Sequence, residues 1–305
     1  MMLISRKWTQ AMWSGPKTGG KMKLFKGKSM IVMILPALIV TAGLSFYAVA
    51  VLWTRLGTEG SPLVILNEIA SLPAFWESLS FSFGVTAVST VLSLGIGVLA
   101  SKLLFGKKGS AGAGALFWVP MAVPHFVGAY LVIWFFSQSG WAASLTQQLG
   151  WIDNRTEFPI LTNDTGGIGI ILSYVWKEVP FVVLMTAPVY LEMNNSVKHA
   201  VATLGGGPFR KFKDAEWPYL KAVTLETGVI LFAFVFGAFE VPGLVGATRP
   251  EMIGVTIFEW YSGGSWEERP YAYAVSALIG VVFITLSALM MWYTRRLRIR
   301  IWRGE

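Results

Sequence analysis

The chain has 305 residues, 54% apolar and 14% charged, with a mean hydropathy of +0.57; this is too little polar surface for a soluble fold, so the composition reads as an integral membrane protein. The absence of cysteine excludes disulfides, zinc–thiolate sites and cysteine nucleophiles, and two histidines, His125 and His199, exclude a multi-histidine metal centre. A net charge of +8 would suggest nucleic acid for a soluble protein, but in a membrane chain the placement of charge matters more than its sum, and no nucleic-acid partner is expected.

Residues 1–29 carry Arg6, Lys7, Lys17, Lys21, Lys23, Lys26 and Lys28 and no acid. The apolar run behind them is too long for the h-region of a signal peptide, so the segment reads as a basic cytoplasmic tail. Within it, Gly15 to Met22 nearly fits a phosphate loop. Met22 stands where a hydroxyl residue would hold magnesium, and no buried strand precedes the loop, so nucleotide binding is not expected here.

Apolar runs long enough to span a bilayer fall at 30–52, 79–101, 115–136, 166–190, 222–245 and 271–294. They predict an all-α membrane domain of six transmembrane helices over residues 30–294. Lys and Arg gather in the tail, in 102–114 (Lys102, Lys107, Lys108), in 191–221 (Lys198, Arg210, Lys211, Lys213, Lys221) and in the tail 295–305 (Arg295, Arg296, Arg298, Arg300, Arg303). The opposite connections hold Arg55, Arg155, Arg249 and Arg269 among a majority of acids. The positive-inside rule therefore places both termini and 191–221 in the cytoplasm.

The connection 53–78 sets Leu63 to Leu66 and Phe75-Trp76 among Glu59, Glu68 and Glu77, the pattern of an interfacial helix. The second run is rich in small residues (Gly84, Thr86, Ser89, Ser93, Gly95, Gly97), which permit close helix packing within this subunit or against a second one. The third contains Pro120, Pro124 and His125: a bent span whose histidine is either a satisfied packing residue or part of a gate. In 137–165, Asn154-Arg-Thr156 and Asn163-Asp-Thr165 match the glycosylation acceptor pattern and are expected to be unmodified in a bacterial protein.

The fourth run contains Trp176-Lys177-Glu178-Val179-Pro180-Phe181. Charges in hydrocarbon cost about 3 kcal/mol each on insertion scales, so both must face protein or water. Neighbours on a helix point about 100° apart, so Lys177 and Glu178 each need a partner of their own. They are either structural charges paired with other spans or part of the substrate path. In the fifth run Glu240 stands beside Pro242-Gly243, a pair expected to unwind the helix, and a carboxylate beside irregular backbone suits a midplane site. Glu240 leads the candidates for the translocation pathway, with His125, Lys177 and Glu178. The last outward loop, with Trp260, Tyr261, Trp266, Glu267 and Glu268, suits a binding-protein interface or a headgroup belt.

The stretch from His199 to Leu220 is the polar interruption least like a spacer. Ala200, Val201 and Ala202 suit a short helix, Gly205 to Gly207 a left-handed stop, and Pro208 the first turn of a second helix. That second helix carries Arg210, Lys211 and Lys213 and is expected to end where Pro218 opens the next span. A rigid basic helix–turn–helix between two anchored spans is built to be gripped by another protein.

These residues resemble the loop E-A-A-x3-G-x9-I-x-L-P shared by the membrane subunits of bacterial ABC importers. Ala200, Gly205 and Pro218 match it, Val201, Ala215 and Trp217 are apolar replacements, and His199 stands where the family has Glu. The resemblance covers about residues 80–294. It implies a permease subunit of an ATP-driven importer in the bacterial inner membrane, with a coupling loop formed by His199, Ala200, Val201, Gly205, Gly207, Arg210 and Pro218. The Trp-Lys-Glu-Val-Pro-Phe and Gly-Ala-Phe-Glu-Val-Pro runs are similar to permeases of the polyamine, phosphonate, ferric-iron and thiamine group. The implied partners are two ATPase subunits, a second permease chain (identical or homologous), an extracytoplasmic binding protein and lipid. No cofactor and no catalytic residue is implied for this chain. The competing class is an ion-coupled secondary transporter using Lys177, Glu178 and Glu240, which would be expected to carry paired repeats and need no docking loop.

Overall fold

The computed structural model describes residues 27–58, 61–106, 117–193, 195–263 and 266–303. Residues 1–26 with the phosphate-loop-like Gly15–Met22, residues 107–116 with Lys107 and Lys108, and the side chains of Arg298, Arg300 and Arg303 lie outside that description. Among the described residues every regular element is helical. Five helices there are long and apolar enough to cross a bilayer: Ile34–Arg55, Pro73–Phe105, Ile168–Glu192, Pro208–Gly237 and Arg269–Leu297.

The chain divides into two units, one ending at Trp53 and one beginning at Thr54. The first is built on α1 (Gly27–Thr58), which carries Pro36 inside the helix. The Thr41 hydroxyl donates back to the Ala37 carbonyl at 2.8 Å, the local bond by which a hydroxyl sits in an apolar helix.

The second unit begins with α2 (Pro62–Ala70) and α3 (Pro73–Phe105), each opened by a proline in its first turn, where the missing N–H is no loss. The expected interfacial helix is therefore cut at Ser71–Leu72. Its aromatic end, Phe75-Trp76, joins the span, and the Trp76 indole N–H reaches back to the Ala70 carbonyl at 2.9 Å.

The α3 helix pairs with α7 (Ile168–Glu192) along most of its length. Gly97 lies against Val182, Gly167 against Val85, and the Ser101 and Thr186 hydroxyls meet at 2.6 Å, so the two helices run in the same direction. Lipid tails are as apolar as leucine, so this packing is held by close van der Waals approach rather than by escape from water. The small residues of the second run serve it on one face only: Thr86, Ser89, Ser93 and Gly97 are buried, while Gly84 and Gly95 have nothing within 4 Å of a Cβ position.

Two expected spans are broken helices. The third is α4 (Trp118–Ala122) followed by α5 (His125–Phe136), separated at Val123–Pro124 because the residue before a proline is driven out of the helical region; Val123 has ψ 128. The fifth is α10 (Trp217–Gly237) followed by α11 (Glu240–Val245), separated at Ala238–Phe239. This corrects the expected position of the second break. Pro242 sits in the first turn of α11, where a proline needs no N–H partner, so Pro242-Gly243 lies inside the helix and the unwound residues precede Glu240. Between α5 and α7 lie α6 (Trp141–Gln148) and a 3-10 turn, Arg155–Glu157.

The connections are capped by their own polar side chains. Asn154 accepts from the Thr156 N–H at 3.2 Å, and Asp164 accepts from the N–H groups of Ile168 and Gly169 at 2.8 and 3.1 Å. Both glycosylation-like triplets thus have local structural work. The chain closes with α12 (Ile253–Ser262), tied to α3 by the Ile253 N–H donating to Ser82 Oγ at 2.6 Å, and α13 (Arg269–Arg303).

Candidate functional site

The expected coupling segment opens with α8 (Asn195–Thr203) and stops in a Schellman turn. Gly205 takes φ +76, its N–H bonds to the Ala202 carbonyl at 3.0 Å, and the Gly206 N–H bonds to the Val201 carbonyl at 2.9 Å. A Cβ on Gly206 would lie 2.5 Å from Val201 Cγ1, so the half-buried Val201 and Gly206 close the turn by contact. Gly207 is extended (φ −70, ψ 178) with nothing within 4 Å of its Cβ position. His199 and Ala200 are exposed on α8.

Pro208 opens α9 (Pro208–Lys211) at the first turn, as expected, but the second helix does not end before Pro218. A π-helical turn at Phe212–Glu216 joins α9 to α10, so that Pro208–Gly237 is one continuous helix. The wider turn is the physical reason: the Trp217 N–H bonds to the Phe212 carbonyl, one register longer than an α-helix, and Pro218 enters at the start of a fresh α segment instead of breaking an old one. Arg210 reaches Asp214 at 3.4 Å on an exposed face.

Two residues that sequence reasoning passed over stand at the tip. Leu204 is 84% exposed and Phe209 78%, one on each side of the glycine turn. Their signal was present in Leu204-Gly-Gly-Gly-Pro-Phe209: large apolar residues flanking a turn among basic neighbours.

Glu216 was also missed. It is buried within the π turn, and its carboxylate lies 3.6 Å from Lys102 Nζ, at the end of α3, and 3.7 Å from Lys198 Nζ, in α8. It also accepts from the Tyr190 hydroxyl, in the last turns of α7, at 3.3 Å. One carboxylate thereby ties α3, α7 and α8 to the long helix. The available signal was an acid set in an apolar stretch, Ala215-Glu216-Trp217, with lysines in the flanking segments.

The charged pair of α7 works on the broken helix beside it. The Lys177 ammonium donates to the Pro120 and Val123 carbonyls at the end of α4, the first of which also accepts from the Val123 N–H at 3.3 Å. Glu178 takes the other side of the break, its Oε1 lying 3.1 Å from His125 Nε2 in the first turn of α5. Each charge has its own partner, as adjacent helical positions require.

Beyond His125 lies a cavity of about 410 Å³, lined by His125, Tyr174, Phe234, Phe239 and Glu240 among others. His125 and Phe234 have ring centroids 4.9 Å apart, and Tyr174 meets Phe234 edge-on at 6.4 Å. The structure therefore brings His125, Glu178 and Glu240 into one neighbourhood and leaves Lys177 on the helix break. No group of three or more metal-ligating side chains occurs among the described residues.

The profile of the family described as "Binding-protein-dependent transport system inner membrane component" matches residues 93–303. The thiamine transport system permease of Salmonella typhimurium is 26% identical over 210 residues, 68% of this chain and 37% of that protein, so the chain spans little more than a third of that relative. The sulfate transport system permease of Synechococcus elongatus is 23% identical over 242 residues, 78% of this chain and 81% of that one. In fold, the chain is similar to one from the crystal structure of a bacterial alginate ABC transporter in complex with alginate pentasaccharide-bound periplasmic protein. The TM-score is 0.69, with 14% identity, covering 89% of this chain and 94% of the other.

Proposed function

The chain belongs to the inner-membrane components of binding-protein-dependent transport systems, the permeases of ABC importers, and we propose that it forms half of a solute pathway driven by an ATPase subunit gripping residues 191–221. In this reading residues 1–29 and 295–305 are cytoplasmic tails, residues 30–294 the permease domain, and ATP is hydrolysed on the partner. Two ATPases, a second permease chain and an extracytoplasmic binding protein complete the assembly. Relatives named for sulfate and thiamine transport differ in cargo, so cargo is to be read from local chemistry.

The observation that carries the docking role is the exposed pair Leu204 and Phe209, at the tip of a turn that leads into one unbroken helix, Pro208–Gly237. Exposed apolar anchors on a rigid element suit burial in a partner's cleft. The helix behind them supplies the mechanical link. A push at the tip moves α10 and, through Glu216, the ends of α3 and α7. Such a loop couples only if the ATPase contacts it differently in its ATP-bound and ATP-free states. Of the charges that a secondary carrier would use, Lys177, Glu178 and Glu240, the first two are engaged at the α4–α5 break.

Purification of the tagged chain in mild detergent tests the assembly: an ATPase and a second permease should accompany it, and a chain that purifies alone overturns the reading. Gly205→Pro, which destroys the turn, should insert normally yet abolish uptake and leave ATP hydrolysis uncoupled from transport. Wild-type uptake in that variant would remove the loop from the coupling path.

A further inference from the structure

The cavity behind His125 has a chemistry of its own. Its lining combines ring faces, His125, Tyr174, Phe234 and Phe239, with one carboxylate, Glu240, and no Lys or Arg of the described residues lines it. A second carboxylate, Glu178, stands directly behind His125. Lys177, the cation nearest in sequence, is turned to the Pro120 and Val123 carbonyls. The rings are fixed in place, Phe239 being stacked on Phe258 with centroids 4.5 Å apart.

Tyr174 is the buried part of the cavity wall. It is 1% exposed, it lines the cavity, and its hydroxyl has no hydrogen-bond partner among the described residues. Both Glu178 and Glu240 are within electrostatic reach of it.

Taking the chain as a permease, as above, we propose that this cavity binds an organic cation bearing N–H donors, a protonated amine on an apolar body. The charge sits against Glu240, the N–H groups donate to its carboxylate, and the body lies against the Phe234 and Phe239 faces, within the roughly 6 Å over which a ring attracts a cation. The volume, about 410 Å³, is that of a small-molecule site. An anion would meet Glu240 with no Lys or Arg of the described residues in the lining, and a neutral sugar would leave Glu240 desolvated and unpaired.

Three probes of one shape separate these cases: benzylammonium, benzyl alcohol and benzoate, titrated by calorimetry against the full chain in lipid nanodiscs with whatever subunits accompany it. Benzylammonium should bind saturably and about tenfold more tightly than the other two, the weight of one charge-assisted contact. Glu240→Gln should erase that preference. Equal binding of benzoate, no saturable binding, or a preference unchanged in a monodisperse Glu240→Gln protein would each overturn the site. The permease reading fails separately, by loss of the ATPase from the purified complex, which leaves the isotherm unaffected.

Discussion

Lys177 and Glu178 are the most expensive residues of the chain to place in hydrocarbon, and the structure gives each a specific task at the Val123–Pro124 break. A proline break frees carbonyls that lipid cannot satisfy; an ammonium can satisfy two at once. Lys177→Met takes the ammonium from the Val123 carbonyl and leaves Pro120 only the Val123 N–H, at about 1–3 kcal/mol for the orphaned group. Thermal unfolding of the purified protein should then fall by about 5 °C or more, and an unchanged midpoint would show that the ammonium does not hold the break. The three glycines of the docking turn make different demands and should respond in order. Gly207→Ala meets open space at an ordinary φ and should be silent. Gly205→Ala forces a left-handed alanine, costing roughly 1–2 kcal/mol, and should lower uptake partially. Gly206→Ala drives a methyl into Val201 and its carbonyl and should be the most damaging of the three. Uptake that fell most at Gly207 would mean the partner reads side-chain space there rather than the turn.

At the scale of elements, the long helix Pro208–Gly237 is a lever with one buried clamp. Glu216→Gln keeps an acceptor for Tyr190 but removes the charge facing Lys102 and Lys198. The expected result is an inserted complex that still hydrolyses ATP while uptake falls about tenfold, the scale of one lost charge-assisted contact; full uptake would mean that motion reaches the spans by another route. The α3–α7 pair offers a stability test. Gly97→Leu should prevent close packing on Val182, where even a Cβ would lie 2.5 Å from Val182 Cβ, whereas Gly95→Leu, one step away on the open face, should accumulate normally in membranes. Five of the six expected apolar runs coincide with described helices long and apolar enough to cross a bilayer, and the Gly205–Gly207 turn was legible too, because hydropathy, the glycine run and Pro208 act locally. The breaks were legible only as prolines. Val123–Pro124 fell as the proline rule dictates, but the fifth-span break moved to Ala238–Phe239, where Gly254 packs so close that a Cβ there would sit 2.4 Å from the Ala238 carbonyl oxygen. That contact joins residues distant in sequence, and no local pattern announces it. Glu216 was hidden for the same reason: its partners come from three other helices.

For the whole molecule, the distribution of charge predicts which face of the membrane the docking turn occupies, and the fold turns that into a two-point test. The expected cytoplasmic side collects the Lys and Arg of 191–221 with Lys102, and the structure independently draws Lys102, Lys198 and the docking turn to one end of the bundle through Glu216. Asn154 lies in the 3-10 region of the connection between α5 and α7, which by chain direction emerges at the other end. Because α3 and α7 run in parallel, a single assignment fixes both. The chain has no cysteine, so labels can be placed without a background. Asn154→Cys and Arg210→Cys replace exposed side chains and leave the Schellman turn and the Glu216 clamp untouched. In intact spheroplasts a membrane-impermeant maleimide should label the Asn154→Cys chain and spare the Arg210→Cys chain, and after permeabilisation it should label both. In the expected orientation each Lys or Arg near an anionic cytoplasmic leaflet contributes about 1 kcal/mol, and none is recovered on the other side. The reverse labelling pattern would place the docking turn where no ATP is available, and the coupling role of Leu204, Gly205 and Phe209 would fall with it.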